Sequence, residues 1–168
     1  MTETSTMTTA ASLRDEVTEF LYTEAELADA NEYDQWLALW DDPCTYWVPC
    51  NLEDYDPRTR ISIIYDNRSR LEERCFRLTT GGAHSQQPRS KVCRVVGNVR
   101  VTSPENAEGF IEARARVITV ELRLGRKSVY AARCHYTLRR DGDGLRLRQK
   151  KVVLLDADEP LGNMTFLI

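Results

Sequence analysis

Between Ile111 and Leu155 apolar and polar residues trade places with a period of two. That alternation restricts the chain to a sheet with one covered and one uncovered face. Ile111, Ala113, Ala115 and Val117 alternate with Glu112, Arg114 and Arg116. From Ile118 the phase inverts, and Ile118, Val120, Leu122 and Leu124 become the apolar set. A one-residue inversion predicts a β-bulge that bends the strand. After Gly125-Arg126-Lys127, Tyr130, Ala132, Cys134, Tyr136 and Leu138 share one face, opposite Arg133, His135, Thr137 and Arg139. Asp141-Gly142-Asp143-Gly144 predicts a hairpin, and Leu145 to Leu155 returns as the last long strand. Upstream, Val92 to Thr102 reads as a strand bent at Gly97.

The chain before residue 80 has a different texture. Ser12 with Asp15 resembles a capping pattern, and Leu13, Val17, Phe20, Leu21, Glu24 and Leu27 or Ala28 form a stripe that is apolar except at Glu24. This predicts a helix over 12–30. Tyr33, Trp36, Leu37 and Trp40 repeat as a second, short amphipathic helix, stopped by Asp41-Asp42-Pro43. Thr45 to Pro49 reads as a short strand. The apolar run Ile61-Ser62-Ile63-Ile64-Tyr65 leads into a third helix, capped by Asp66 or Asn67, with Leu71, Cys75 and Leu78 on one face and six charged side chains on the rest. Met1 to Ala10 is Thr-rich, with neither a basic start nor an apolar core. It reads as a disordered tail over residues 1–11, which leaves one domain over 12–168. Helices followed by a strongly bent, mixed or antiparallel sheet make an α+β cone with an apolar interior. The apolar C-terminal residues, Asn163 to Ile168, are expected to pack on this sheet or on a partner.

Composition excludes several functions. The formal charge is −3 over 168 residues, so general nucleic-acid binding is disfavoured even though Arg146, Arg148 and Lys150 fall on one face of the last hairpin. That basic face reads as solvated or as a docking surface. Five cysteines with no Cys-x-x-Cys pair fit reduced, mostly buried thiols in a cytoplasmic protein. No apolar run approaches the ~20 residues that span a bilayer. The two histidines, His84 and His135, have no ligand spacing, and no Cys/His cluster exists, so no metal site is expected. Metal-free acid/base chemistry in the cone would draw on Tyr46, Tyr65, Asp66, Asp42 and His135, as in a dehydratase or isomerase. Against that, Tyr46 and Tyr65 also read as core aromatics, Asp66 as a helix cap and His135 as a half-exposed strand residue.

A set of short motifs adds a resemblance. Phe20-Leu21-Tyr22-Thr23-Glu24-Ala25, Trp36-Leu37, Tyr46-Trp47-Val48-Pro49, Ser62-Ile63-Ile64-Tyr65-Asp66, Leu71-Glu72-x-Arg74, Pro88-Arg89-Ser90, Asn98-Val99 and Lys151-Val152-Val153-Leu154-Leu155 occur in order. Together they resemble the β (small) subunit of bacterial aromatic ring-hydroxylating dioxygenases, from about Leu13 to Ile168. Arg94-Val95-Val96-Gly97 departs slightly from the family pattern, which often ends in Ser. The resemblance implies a nuclear-transport-factor-2-like cone and a non-catalytic role as the trimeric base of an α3β3 hexamer. The α subunit would carry a Rieske [2Fe-2S] cluster and a mononuclear non-haem iron, with none in this chain. The whole enzyme would add both atoms of O2 to an aromatic ring to give a cis-dihydrodiol, fed with electrons by reductase and ferredoxin components. Position in the family motifs marks Trp47, Tyr65, Asp66, Arg68, Arg74 and Arg89 as subunit-interface candidates. The apolar C-terminus, the charged helix faces and the aromatic run at Tyr46-Trp47 suit a permanent interface.

Overall fold

In the computed structural model the described residues are 3–51, 55–80, 88–142, 144–160, 162, 164 and 166–168, with side chains from residue 12 onward. The elements are α1 (Glu3–Asp29), α2 (Tyr33–Ala38), β1 (Trp40–Pro49), β2 (Ser62–Asp66), α3 (Arg68–Thr80), β3 (Lys91–Ser103), β4 (Phe110–Arg123), β5 (Arg126–Asp141) and β6 (Gly144–Leu154). The strands form one six-stranded sheet in the order β2-β1-β6-β5-β4-β3. All neighbours are antiparallel except β1 and β6, which run parallel. The helices lie on one face. α1 packs against β3 and α3 against β1, and Val17, Leu21, Trp36, Leu71 and Leu78 are buried between helices and sheet. This is the expected α+β cone.

Several expectations hold residue by residue. Leu71, Cys75 and Leu78 are the buried residues of α3. Of the two possible caps, Asn67 serves: its Oδ1 accepts the Arg70 N–H at 3.1 Å, while Asp66 is buried elsewhere. Tyr130, Ala132, Cys134, Tyr136 and Leu138 are all buried on one face of β5. Phe166, Leu167 and Ile168 fold back into the core. The Asp141–Gly144 hairpin forms, with Gly142 at φ +59° where a side chain would be strained. The loop expected over Ala83 to Pro88, with His84 in it, lies outside the described residues up to Gln87.

Other expectations need correction. α1 begins at Glu3, well before Ser12, since no Pro or Gly interrupts the intervening run. β1 starts at Trp40 and runs through Asp41-Asp42-Pro43. Pro43 is tolerated because the β1/β6 ladder is broken between Trp40 and Thr45, where its missing N–H costs nothing. The Asp41 carboxylate is held by Arg139 Nε and Nη2 at 2.8 and 2.9 Å, and those hydrogen bonds keep its pKa below the ordinary range.

The largest correction concerns the phase inversion at Ile118. β4 pairs with β5 without any register shift from Phe110 to Arg123, so β4 contains no bulge on that side. Thr119 and Glu121 continue the buried series, and Ile118 and Leu122 point outward, the former 47% exposed. Glu121 is tolerated inside because the Ser90 hydroxyl and the Tyr130 hydroxyl (3.3 Å) donate to its two oxygens. The bend lies in β3 instead, where pairing shifts between Gly97 and Arg100 and Asn98 adopts φ +53°. A further shift lies in β6, opposite Thr137/Leu138. It moves the buried set from Leu145 and Leu147 to Lys150, Val152 and Leu154. Lys150 therefore does not share a face with Arg146 and Arg148; it points into the cone.

Candidate subunit interface

The outer face of the sheet, opposite the helices, has an aromatic end built on β1 and β2. Trp47 stands opposite Tyr65 in the ladder, with ring centroids 6.4 Å apart and nearly perpendicular. Tyr55 meets the same indole at 5.5 Å, and Trp47 Nε1 donates to Ser62 Oγ at 3.0 Å. The Lys151 ammonium lies 4.1 Å above the Trp47 ring, well placed for a cation–π contact. Trp47 is buried and Tyr65 half-buried in this cluster.

The remaining interface candidates divide by what they already bind. Arg74 Nε donates to Asp66 at 2.6 Å, tying α3 to the end of β2. Arg68 Nη1 reaches the carbonyls of Leu37 and Trp40 at 3.0 and 3.1 Å, and its Nε pairs with Glu72. It thereby ties α3 to the last turn of α2 at Leu37 and to the first residue of β1 at Trp40. Arg89 is exposed, and its Nη2 donates to the Thr79 carbonyl at the C-terminal end of α3. Trp47 and Tyr65 form one cluster and Asp66 with Arg74 another, while Arg89 stands apart.

The candidate acid/base residues are not brought together. Tyr46 lies inside, its hydroxyl donating to the Ile168 carbonyl and accepting the Ile168 N–H at 2.9 Å, and burial raises its pKa. Asp66 is bound to Arg74, and Asp42 is exposed. His135 is on the outer face, where partial burial and then Lys151, Arg114, Arg116 and Arg133 hold its pKa below the ordinary value. Among the described residues no group of three His, Cys, Asp or Glu side chains could hold a metal ion.

Two charged residues meet in the interior. Glu24 and Lys150 are 2% and 4% exposed, and Lys150 Nζ lies 2.8 Å from Glu24 Oε1. Trp36 Nε1 donates to the same oxygen at 2.7 Å. Burial disfavours the Glu24 charge, but Lys150, Arg94 and the Trp36 N–H together outweigh it and leave the pKa below the ordinary value. The one polar break in the helical stripe was the available signal. Arg94, at the motif departure, also turns inward and binds both Asp29 and the Leu167 carbonyl.

Residues 23–158 match the family model described as the ring hydroxylating beta subunit. The chain belongs to the ring-hydroxylating β-subunit family. This β subunit is 35% identical over 158 residues to the small oxygenase component of the p-cumate 2,3-dioxygenase system of Pseudomonas putida, covering 92% of this chain and 87% of that one. Its fold superposes on the β subunit of benzoate 1,2-dioxygenase from Burkholderia mallei with a TM-score of 0.72 at 27% identity, covering 90% and 95% of the two chains. A nuclear-transport-factor-2-like protein with a cystatin-like fold from Novosphingobium aromaticivorans gives 0.64 at 17% identity, over 93% and 90%, which places the β subunit in that fold class. As a β subunit it is a component of an oxidoreductase, a ring-hydroxylating dioxygenase. No helix among its described residues is long and apolar enough to cross a membrane.

Proposed function

We propose that this chain is the non-catalytic base of an α3β3 dioxygenase in the cytoplasm, built on its single domain over 12–168. The observation that carries this reading is the state of its polar residues. Asp66 is bound to Arg74, Tyr46 to Ile168 and Glu24 to Lys150, while Asp42 and His135 are exposed and stand apart from them. Among the described residues no group of side chains fits an iron site, and in this reading the large subunit carries the Rieske cluster and the mononuclear iron. That subunit would add O2 to an aromatic ring, with two electrons from the ferredoxin and reductase and two protons from solvent completing the dihydrodiol. Trp47, Tyr65, Asp66, Arg68, Arg74 and Arg89 are proposed to line the contact with the large subunit. Asp66 and Arg74 act there by fixing α3 against β2. Neither nucleic acid nor membrane is a partner in this reading.

The test is co-expression with a large subunit encoded beside this chain, purified by a tag on this chain alone. Light scattering and iron content are read on the same sample. A hexamer whose iron depends on the large chain supports the reading. A lone species that never captures a large chain overturns it, and a lone species that dehydrates or isomerises a substrate would favour the acid/base cone.

A further inference from the structure

The inward-facing side chains of β4 change character along the strand. Ala113, Ala115 and Val117 give way to Thr119, Glu121 and Arg123, and Tyr130, Ser128 and Arg126 stand opposite these three on β5. Inward positions recur every second residue, so this end of the cone is lined by polar groups where the other end is lined by core. Glu121, Arg123, Arg126, Ser128 and Tyr130 line one cleft of about 530 Å³ together with Asp156, which lies in the turn after β6. That volume is in the range of small-molecule sites.

Two groups in this cleft have unmet demands of opposite sign. The Asp156 Oδ1 atom is buried and has no hydrogen-bond partner. A buried polar atom of that kind calls for an occupant that supplies a donor. Arg126 is exposed and stands directly opposite Arg123 beside the tight β4–β5 turn, where like charges repel. Among the described residues no carboxylate holds Arg126. The other acid is already engaged: Glu121 accepts from the Ser90 hydroxyl and from Tyr130 at 3.3 Å. Burial, then Glu121 and less strongly Asp156, raise the Tyr130 pKa, so both carboxylates lie in the field of that hydroxyl.

We infer that this cleft binds a small organic acid that also carries a hydroxyl or ammonium group, with the carboxylate on Arg126 and the donor on Asp156 Oδ1. Arginine suits the first contact because its planar fork takes both carboxylate oxygens. Arg123, whose Nε donates to the Pro88 carbonyl, adds positive charge at that end. Leu124, 76% exposed at the rim, gives the body of the molecule an apolar contact. An inorganic anion would leave Asp156 without a donor, and a simple amine would leave Arg126 without an anion. The site belongs to this chain itself and does not depend on the α3β3 reading.

The experiment uses the full chain without a large subunit, so that no second aromatic site competes. Calorimetric titration is run with para-hydroxybenzoate and para-aminomethylbenzoate, which carry both groups, and with benzoate and phenol, which carry one each. At least one of the two-group acids should bind saturably, one molecule per chain, and roughly tenfold or more tighter than benzoate and phenol. Arg126→Gln, at an exposed position, should weaken that binding by a similar factor with the circular dichroism spectrum unchanged. Asp156→Ala should weaken it too. Asp156→Asn keeps an acceptor, so it should spare the hydroxy acid and penalise the ammonium acid, which separates the two kinds of donor. The inference is overturned if neither two-group acid binds saturably at millimolar concentration, or if benzoate binds as tightly as they do. Binding that survives Arg126→Gln unchanged in the folded protein overturns it as well.

Discussion

Lys150 Nζ and Glu24 Oε1 are 2.8 Å apart in the middle of the cone, joining the last strand to the first helix across 126 residues. Replacing one partner strands the other as a buried, uncompensated charge, which costs about 3–5 kcal/mol. Glu24→Gln keeps an acceptor for Trp36 Nε1 and removes only the charge, so it isolates this effect. At about 2–4 °C per kcal/mol for a chain this size, Tm should fall by roughly 10 °C. The double change Glu24→Leu, Lys150→Met removes both charges and should recover most of that loss. Calorimetry on the three proteins checks the order. Equal losses in the single and double variants would mean the charge is not what matters.

The same pair sets an acid limit. Glu24 faces Lys150 from β6, Arg94 from β3 and the Trp36 indole from α2, and its folded pKa is below that of the unfolded chain. Its contribution is therefore complete above about pH 4.3, the unfolded value, and is lost as pH falls through the folded value. Denaturant titrations of the wild type and Glu24→Gln should show a stability gap that is constant from pH 7 to 5. Below pH 4 the gap should shrink. A gap that widens on acidification would reverse the assigned direction of the shift.

Thiol chemistry should single out one cysteine in the isolated chain. Burial pushes Cys44 and Cys75 up to about 11 and raises Cys134 as well. Cys93 is exposed on the outer sheet face. Since the thiolate is the reactive form, Cys93 should be modified first at pH 7.5. Peptide mapping after a short maleimide pulse reads this directly, and rapid labelling of Cys134 would contradict the packing of β5.

Tyr46 anchors the C-terminal residues. In Tyr46→Phe the ring would keep its edge contacts with Trp36 and Trp40, whose centroids lie 6.2 and 5.7 Å away. The buried Ile168 N–H would lose its acceptor, at a cost of about 1–3 kcal/mol. Secondary structure should be unchanged, and proteolysis at the C-terminus should become faster. An unchanged rate would mean that Phe166 and Leu167 hold the segment without Tyr46.

The parts of this fold that could be read from the sequence are those set by neighbours along the chain. The spacing of Leu71, Cys75 and Leu78 fixes the buried face of α3, and the alternation from Tyr130 to Leu138 fixes that of β5. The errors arose where a distant partner overrides the local pattern. Glu121 is buried because Ser90, 31 residues away, and Tyr130, across the β4/β5 hairpin, meet it, and Lys150 because Glu24, 126 residues away, does. The inverted phase at Ile118 was a real signal given the wrong cause. The strand keeps its phase, and the apolar residues are on the outside because that face is not covered within this chain. Of the interface candidates, the Trp47–Tyr65 pairing follows from strand register, while the inward ties of Arg68 and Arg74 required the helix placement.

The parallel seam between β1 and β6 also governs the order of events in time. The pairing of Tyr46 with Lys150 spans most of the chain, whereas the β4/β5 and β5/β6 ladders close through tight hairpins. Short-range ladders zip early, and pairings of long sequence separation wait for loop closure. On the ribosome the N-terminal helices and β1 emerge first, yet they can join the sheet only after the last strand has been made. Pulse-labelled hydrogen exchange during refolding should therefore protect β4 and β5 amides before those of β1, which makes β6 the strand that commits the two halves to each other.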